Sequence, residues 1–191
     1  MALATGRHAL GPGDASLQVR TYREGVAARV GHDLVLDVTR WEATVDVAAE
    51  PAGWALELSA AADSLHVREG LHGVKPLTDK DRAEIRARID ERMLRRQPIL
   101  FRSSSVRPDA GGLVVDGELT LAGTARPLTA RLELDDDGNV RAAIALRQSD
   151  WGIKPYSALF GALKVADDVE VAVDARLPAA EADSTRRLPA I

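Results

Sequence analysis

Histidine is the side chain best suited to bind a metal ion or move a proton near neutral pH, and the chain has four: His8, His32, His66 and His72. None has the i, i+4 partner or the carboxylate pattern of a zinc motif. His8 lies in an N-terminal stretch of Gly, Pro and polar residues without periodicity and can be set aside. For His32 two roles fit. It is either a side chain at the end of the fold, bonded to backbone, or a polar group at the mouth of a cavity. Ser103-Ser104-Ser105 lacks the G-x-S-x-G elbow that would present a nucleophile, and reads as small polar lining or rim groups on a strand that faces a cavity. Asp135-Asp136-Asp137-Gly138-Asn139 resembles the opening of a calcium loop without its closing Glu or its helical flanks. It reads as a solvated hairpin turn. There is no cysteine, which removes disulfides, thiol catalysis and cysteine metal sites. No catalytic residue, metal ligand or cofactor is assigned, and a non-enzymatic role is expected.

One connection is unusual. Residues 152–163, GIKPYSALFGAL, hold Tyr156 and Phe160 although aromatics make up only 4% of the chain. Trp151 stands just before them. Either this loop plugs one end of the fold or it gates an entrance for an apolar molecule.

These side chains need elements to position them. The clearest lie within residues 98–134. Ile99, Phe101, Ser103 and Ser105 share one parity; Leu100, Arg102 and Ser104 share the other. Leu113, Val115, Leu119 and Leu121 then alternate with polar neighbours, as do Leu128, Ala130, Leu132 and Leu134. Period-two alternation puts successive side chains on opposite faces, so each run is a half-buried strand. Upstream, Leu34, Leu36 and Val38 hold one parity and Trp41, Ala43, Val45 and Val47 the opposite one. That switch predicts a bulge. Leu17, Val19 and Thr21 begin the first strand, and Trp54, Leu56, Leu58 and Ala60 form another. Val140, Ala142, Ile144 and Leu146, then Val169 to Leu177, supply the last two.

The pattern predicts an all-β fold, a single antiparallel up-and-down β-barrel of about eight strands, with one main α-helix at about 78–96. Thr78 is the natural N-cap, with Asp81 three residues on as a weaker form of the capping box. Ile85, Ile89 and Met93 form one apolar stripe that should dock on the barrel while Arg86 stays in water. Pro98 should end the helix. Residues 1–14 are expected to be a flexible N-terminus, 15–177 the barrel domain and 178–191 a flexible C-terminal tail. The net charge of −4 is spread in both signs, without a basic block, so nucleic acid is not an expected partner. No apolar run approaches the ~18 residues of a transmembrane segment, and no apolar core of a signal peptide is seen near the N-terminus. A cytoplasmic location is therefore expected.

"QPILFRSSSV" followed by "VDGELTLAGTARPLTARLEL" is similar to the central signature of the YceI-like family. Gly31-His32-Asp33, Ser149-Asp150-Trp151-Gly152-Ile153 and the run from Gly161 to Val169 extend the resemblance over roughly residues 15–177. Leu34 stands where one branch of that family carries a further His, and residues 69–77 do not match its usual polar loop. The resemblance implies a lipocalin-like barrel that binds a polyisoprenoid or other lipid. On that basis a carrier for a long apolar ligand is expected, an isoprenoid or fatty-acyl chain. The ligand should be lined by Val19, Leu36, Trp54, Ile99, Phe101, Leu119, Leu121, Leu132 and Ile144. Trp151, Tyr156 and Phe160 are expected to touch it at the mouth, with His32 near its polar end. The alternative is a side-chain-filled barrel acting as a protein-interaction or stress-response module. A homodimer stays open.

Overall fold

The parity switch between Val38 and Trp41 becomes a bend, and bends of this kind organise the sheet. In the computed structural model, which describes residues 3–180, the successive strands β1 (Gly6–Leu10) and β2 (Ser16–Glu24) run along β4 (Trp41–Val47) and β3 (Asp33–Val38) respectively. β3 and β4 run in turn along β6 (Leu65–Leu71) and β5 (Ala55–Ala60). Each of these three pairs is one long run broken once. β7 (Ile99–Asp109), β8 (Gly112–Leu121), β9 (Thr124–Leu134), β10 (Asn139–Arg147) and β12 (Leu163–Arg176) complete the wall, and two-residue β11 (Ser157–Ala158) pairs the start of β12. Every pairing is antiparallel, in the order β1-β4-β5-β7-β8-β9-β10-β12-β2-β3-β6. Because β5 continues into β6 and β1 into β2, that path returns on itself and the sheet curls into a barrel. The wall is loosest between β9 and β10, which pair only beside their turn, at Val140–Leu134 and Arg141–Glu133.

The sheet has twelve strands, not the eight expected. The difference is physical. A strand that bends sharply loses ladder bonds at the bend and divides, so three long runs count as six, and β11 is an addition. Residues 6–10, expected to be loose, form β1, with His8 opposite Val45 and Leu10 opposite Ala43. Of the expected C-terminal tail, residues 181–191 lie outside the described residues. Leu3 and Ala179 form an isolated bridge.

A bulge between Ser103 and Ser105 also corrects the expected parity of β7. Ile99 and Phe101 point inward as expected. The extra residue then exchanges the faces, and Val106, not Ser105, is buried. Phe101 pairs directly with Leu119. Its ring lies over Gly117, where a Cβ would come within 2.6 Å of the ring, so this strand needs a glycine there.

α1 (Asp79–Arg88) starts on the predicted capping box: Asp81 N–H donates to Thr78 Oγ1 (3.2 Å) and Thr78 N–H to Asp81 Oδ2 (2.8 Å). The hydrogen bonds from the Thr78 side chain and backbone hold the Asp81 carboxyl below its usual range. The regular helix stops earlier than the expected Arg96. It widens into a π-turn over Ile89–Met93, then Arg95 and Arg96 take left-handed backbone conformations. The wide turn carries Leu94 into the core beside Ile89 and Met93. Ile85, Ile89 and Met93 are half-buried rather than fully covered, and Arg86 stays in water. Ile89→Ala should therefore cost about 2 kcal/mol, the low end for such truncations, read from the denaturant midpoint.

Candidate ligand cavity

The inward parities of the barrel strands converge on one space. β2 contributes Leu17 and Val19, β3 Leu34 and Leu36, β7 Ile99 and Phe101, and β8 Leu113, Val115, Leu119 and Leu121. β9 adds Leu128, Ala130 and Leu132, β10 Val140 and Ile144, and β12 Val165 to Ala175. The cavity they enclose has a volume of about 680 Å³. That lies within the ~300–1,000 Å³ of small-molecule sites. Small residues leave this room: Ala43, Ala60, Ala130 and Ala175 all face it. Val165 lies opposite Arg23 and Val169 opposite Thr21, so with that irregularity the stretch from Val165 to Ala175 spans about eight regular residues, roughly 26 Å, or about 20 Å along the axis of a barrel tilted by ~40°. Length of that order with this volume makes a tunnel, not a sphere.

One end is closed by Trp54, Val106, Leu134, Val140 and Leu177. Trp54 Nε1 donates to Ala48 O at 2.9 Å, which leaves only its apolar body facing inward. The other end is the mouth. α1 crosses it, tied to β6 by Arg82, whose Nη1 donates to Val67 O at 2.8 Å. His32 stands on the opposite lip and Nε2 donates to Lys75 O at 2.7 Å. Its ring lies so close to Gly73 that a Cβ there would be 2.0 Å from Nε2. His32 thus fills both roles considered for it: it is bonded to backbone and it lines the mouth. The Arg88 guanidinium stacks 4.6 Å above the Tyr156 ring, and the two close a third side.

The tunnel is apolar along its length and polar at the mouth, where Arg23, Lys75, Arg88 and Lys164 line it with Asp81 and Glu84. Among the described residues two buried polar atoms in the lining have no hydrogen-bond partner, Thr21 Oγ1 near the mouth and Trp41 Nε1 deeper in. Arg23 and Thr21 continue the inward parity of Leu17 and Val19, so the sequence holds that signal. Lys75, Arg88 and Lys164 come from loop, helix and strand start, and only the fold joins them.

Eleven of the thirteen expected contact residues line the tunnel: Val19, His32, Leu36, Trp54, Ile99, Phe101, Leu119, Leu121, Leu132, Ile144 and Tyr156. Two do not. Trp151 is buried in the wall, with Nε1 donating to Leu119 O at 2.9 Å. Phe160 is fully exposed and points away. The reason is local backbone: Leu159 and Phe160 both have positive φ, 51° and 55°, which turns the tip of the loop outward.

Asp33 links the lips of the mouth. Its Oδ1 accepts the Arg23 N–H (2.8 Å) and its Oδ2 faces His72 Nδ1 (2.8 Å). Partial burial alone would push its carboxyl up, but the hydrogen bonds from Arg23 and His72, with their charges, hold it below the usual range. A depressed folded value gives stability that is full above the unfolded value of ~3.9 and lost as pH falls through the folded one. The Arg23 amide should accordingly lose hydrogen-exchange protection as pH drops below ~4, and Asp33→Asn should remove that pH dependence.

A YceI-like domain model matches residues 18–177. The chain belongs to the YceI-like family. No curated protein matches it by sequence. Among solved structures it is similar to BcnA of Burkholderia cenocepacia, at TM-score 0.62 and 14% identity over 84% of this chain and 94% of that one. It is also similar to a polyisoprenoid-binding domain from Saccharophagus degradans, at TM-score 0.51 and 8% identity over 92% of this chain and all (100%) of that domain. At such identities the likeness is one of fold.

Proposed function

We propose that the protein binds one long, chain-like apolar molecule inside the barrel and carries it without changing it. The tunnel is the observation behind this reading. Its volume of 680 Å³ corresponds to roughly 20 water-sized groups at ~30 Å³ each. Buried methylenes contribute about 0.8 kcal/mol each, so such a space rewards chain length. An isoprenoid or a fatty-acyl chain fits it, and the Saccharophagus domain, named for polyisoprenoid binding, supports the former. The polar mouth suits a chain with one hydrophilic end.

Native mass spectrometry of gently purified protein tests the proposal. The expected result is an added mass that organic solvent extracts and that returns when the stripped protein meets a polyprenol or a long-chain fatty acid. Protein that carries no added mass and takes up neither chain would refute it.

A further inference from the structure

Eight large hydrophobic side chains stand exposed among the described residues, and six of them, Val26, Val30, Leu71, Val74, Leu159 and Phe160, gather around the mouth. Soluble surfaces scatter such residues singly; a cluster beside an opening marks an interaction site. They sit on or beside three loops that touch one another. Ala27 N–H donates to Ala162 O at 2.9 Å, joining residues 25–32 to 152–164. His32 joins residues 25–32 to 72–78 through Lys75 O.

The same three loops carry Arg29, Lys75, Lys154 and Lys164 and no Asp or Glu, in a chain whose net charge is −4. Among the described residues none of these four cations lies within ion-pair distance of a carboxylate. Nearby acids are otherwise engaged or offset. Asp33 faces Arg23 and His72, Asp81 is held by Thr78, and Glu84 faces Lys80 at 3.8 Å. Glu24 lies opposite Lys164 in the ladder. Across the mouth α1 brings Asp79 together with Lys80, Arg82, Arg86 and Arg88.

The tip of the longest loop is held out at a cost. Two successive bulky residues, Leu159 and Phe160, occupy left-handed backbone at φ 51° and 55°. That region is a genuine outlier for side chains of this size, and such strain persists where surroundings or function demand it. Exposed aromatic and aliphatic tips with unpaired Lys and Arg among them match an acyl boundary below and anionic head groups above.

We propose that this loop rim is a docking surface for an anionic lipid bilayer, so that the tunnel opens onto the membrane interface. The proposal goes beyond carriage and does not depend on which molecule fills the tunnel.

Flotation of the full chain with phosphatidylcholine vesicles, with and without phosphatidylglycerol, tests it. The protein should float with the anionic vesicles and release as salt rises. Phe160→Asp should weaken that association roughly tenfold or more without moving the thermal midpoint, since Phe160 is fully exposed. Lys75→Ala with Lys164→Ala, which leaves the loop tip intact, should weaken it about fivefold per cation. Failure of the parent protein to float with anionic vesicles overturns the proposal. So does flotation that neither variant weakens. Sedimentation velocity without vesicles covers the remaining occupant: self-association abolished by Phe160→Asp would make a second copy the partner and overturn the bilayer.

Discussion

Ala130→Trp should fold normally and lose its long-chain ligand. Ala130 is buried at 5% exposure, faces Val115 across β8 and β9, and lines the tunnel well below the mouth. In a barrel filled by its own side chains an indole there would overpack the core and cost at least 1–3 kcal/mol. In a hollow one it occupies the ligand's path. Excluding three or four methylenes at about 0.8 kcal/mol each weakens binding on the order of 100-fold. Ala143→Trp is the control: Ala143 is exposed on the outer face of β10 and pairs Ala172, so the same bulk there should leave affinity unchanged. Uptake of a fluorescent fatty acid, beside a denaturant midpoint, separates the cases. A variant that folds and binds as tightly as the parent places the ligand outside the barrel.

Ala130 can be placed on the inner face from sequence because inward parity is a local property. Leu119 and Leu121, or Leu128, Ala130 and Leu132, share a face by the pleat alone, and one face of a barrel must close on itself. Hence most of the tunnel wall is legible in the alternation of each run. Where parity misleads, one extra residue is responsible. The bulge between Ser103 and Ser105 leaves no signal in three consecutive serines, yet it turns Val106 inward and Ser105 out. The bend at Thr39-Arg40 is visible because apolar residues flank it on both sides. β1 is not: Gly6–Leu10 has little alternation, and its partner β4 lies over thirty residues away.

The mouth is least legible. Its cations stand at positions 23, 75, 88 and 164, each on a different element. Only closure of the barrel, which brings the start of β12 to the end of β2, makes them neighbours. The tunnel thus depends on local pattern for its walls and on topology for its entrance.

The sequence assigns Trp151 and Phe160 the same work, and the structure predicts opposite results when each is truncated. Trp151 is 4% exposed, packs in the main core, and gives its only donor to Leu119 O. Nearby Ile153 and Leu94 are buried in the same cluster, below the turn that ends β10. Removing the indole leaves a cavity too well framed to collapse and strips Leu119 O of a hydrogen bond made in a dry site. Trp151→Ala should therefore cost about 3–5 kcal/mol, a large part of the roughly 5–15 kcal/mol that holds a domain of this kind together. Trp151→Phe keeps most of the volume and loses the donor, so it should fall between the parent and Ala. Phe160→Ala removes a fully exposed side chain and should change stability by less than ~0.5 kcal/mol. Chemical denaturation of the three variants side by side gives the ordering. Equal losses at Trp151 and Phe160 would mean that the 152–163 loop folds its aromatic tip back onto the barrel and that Trp151 is not a fixed part of the wall.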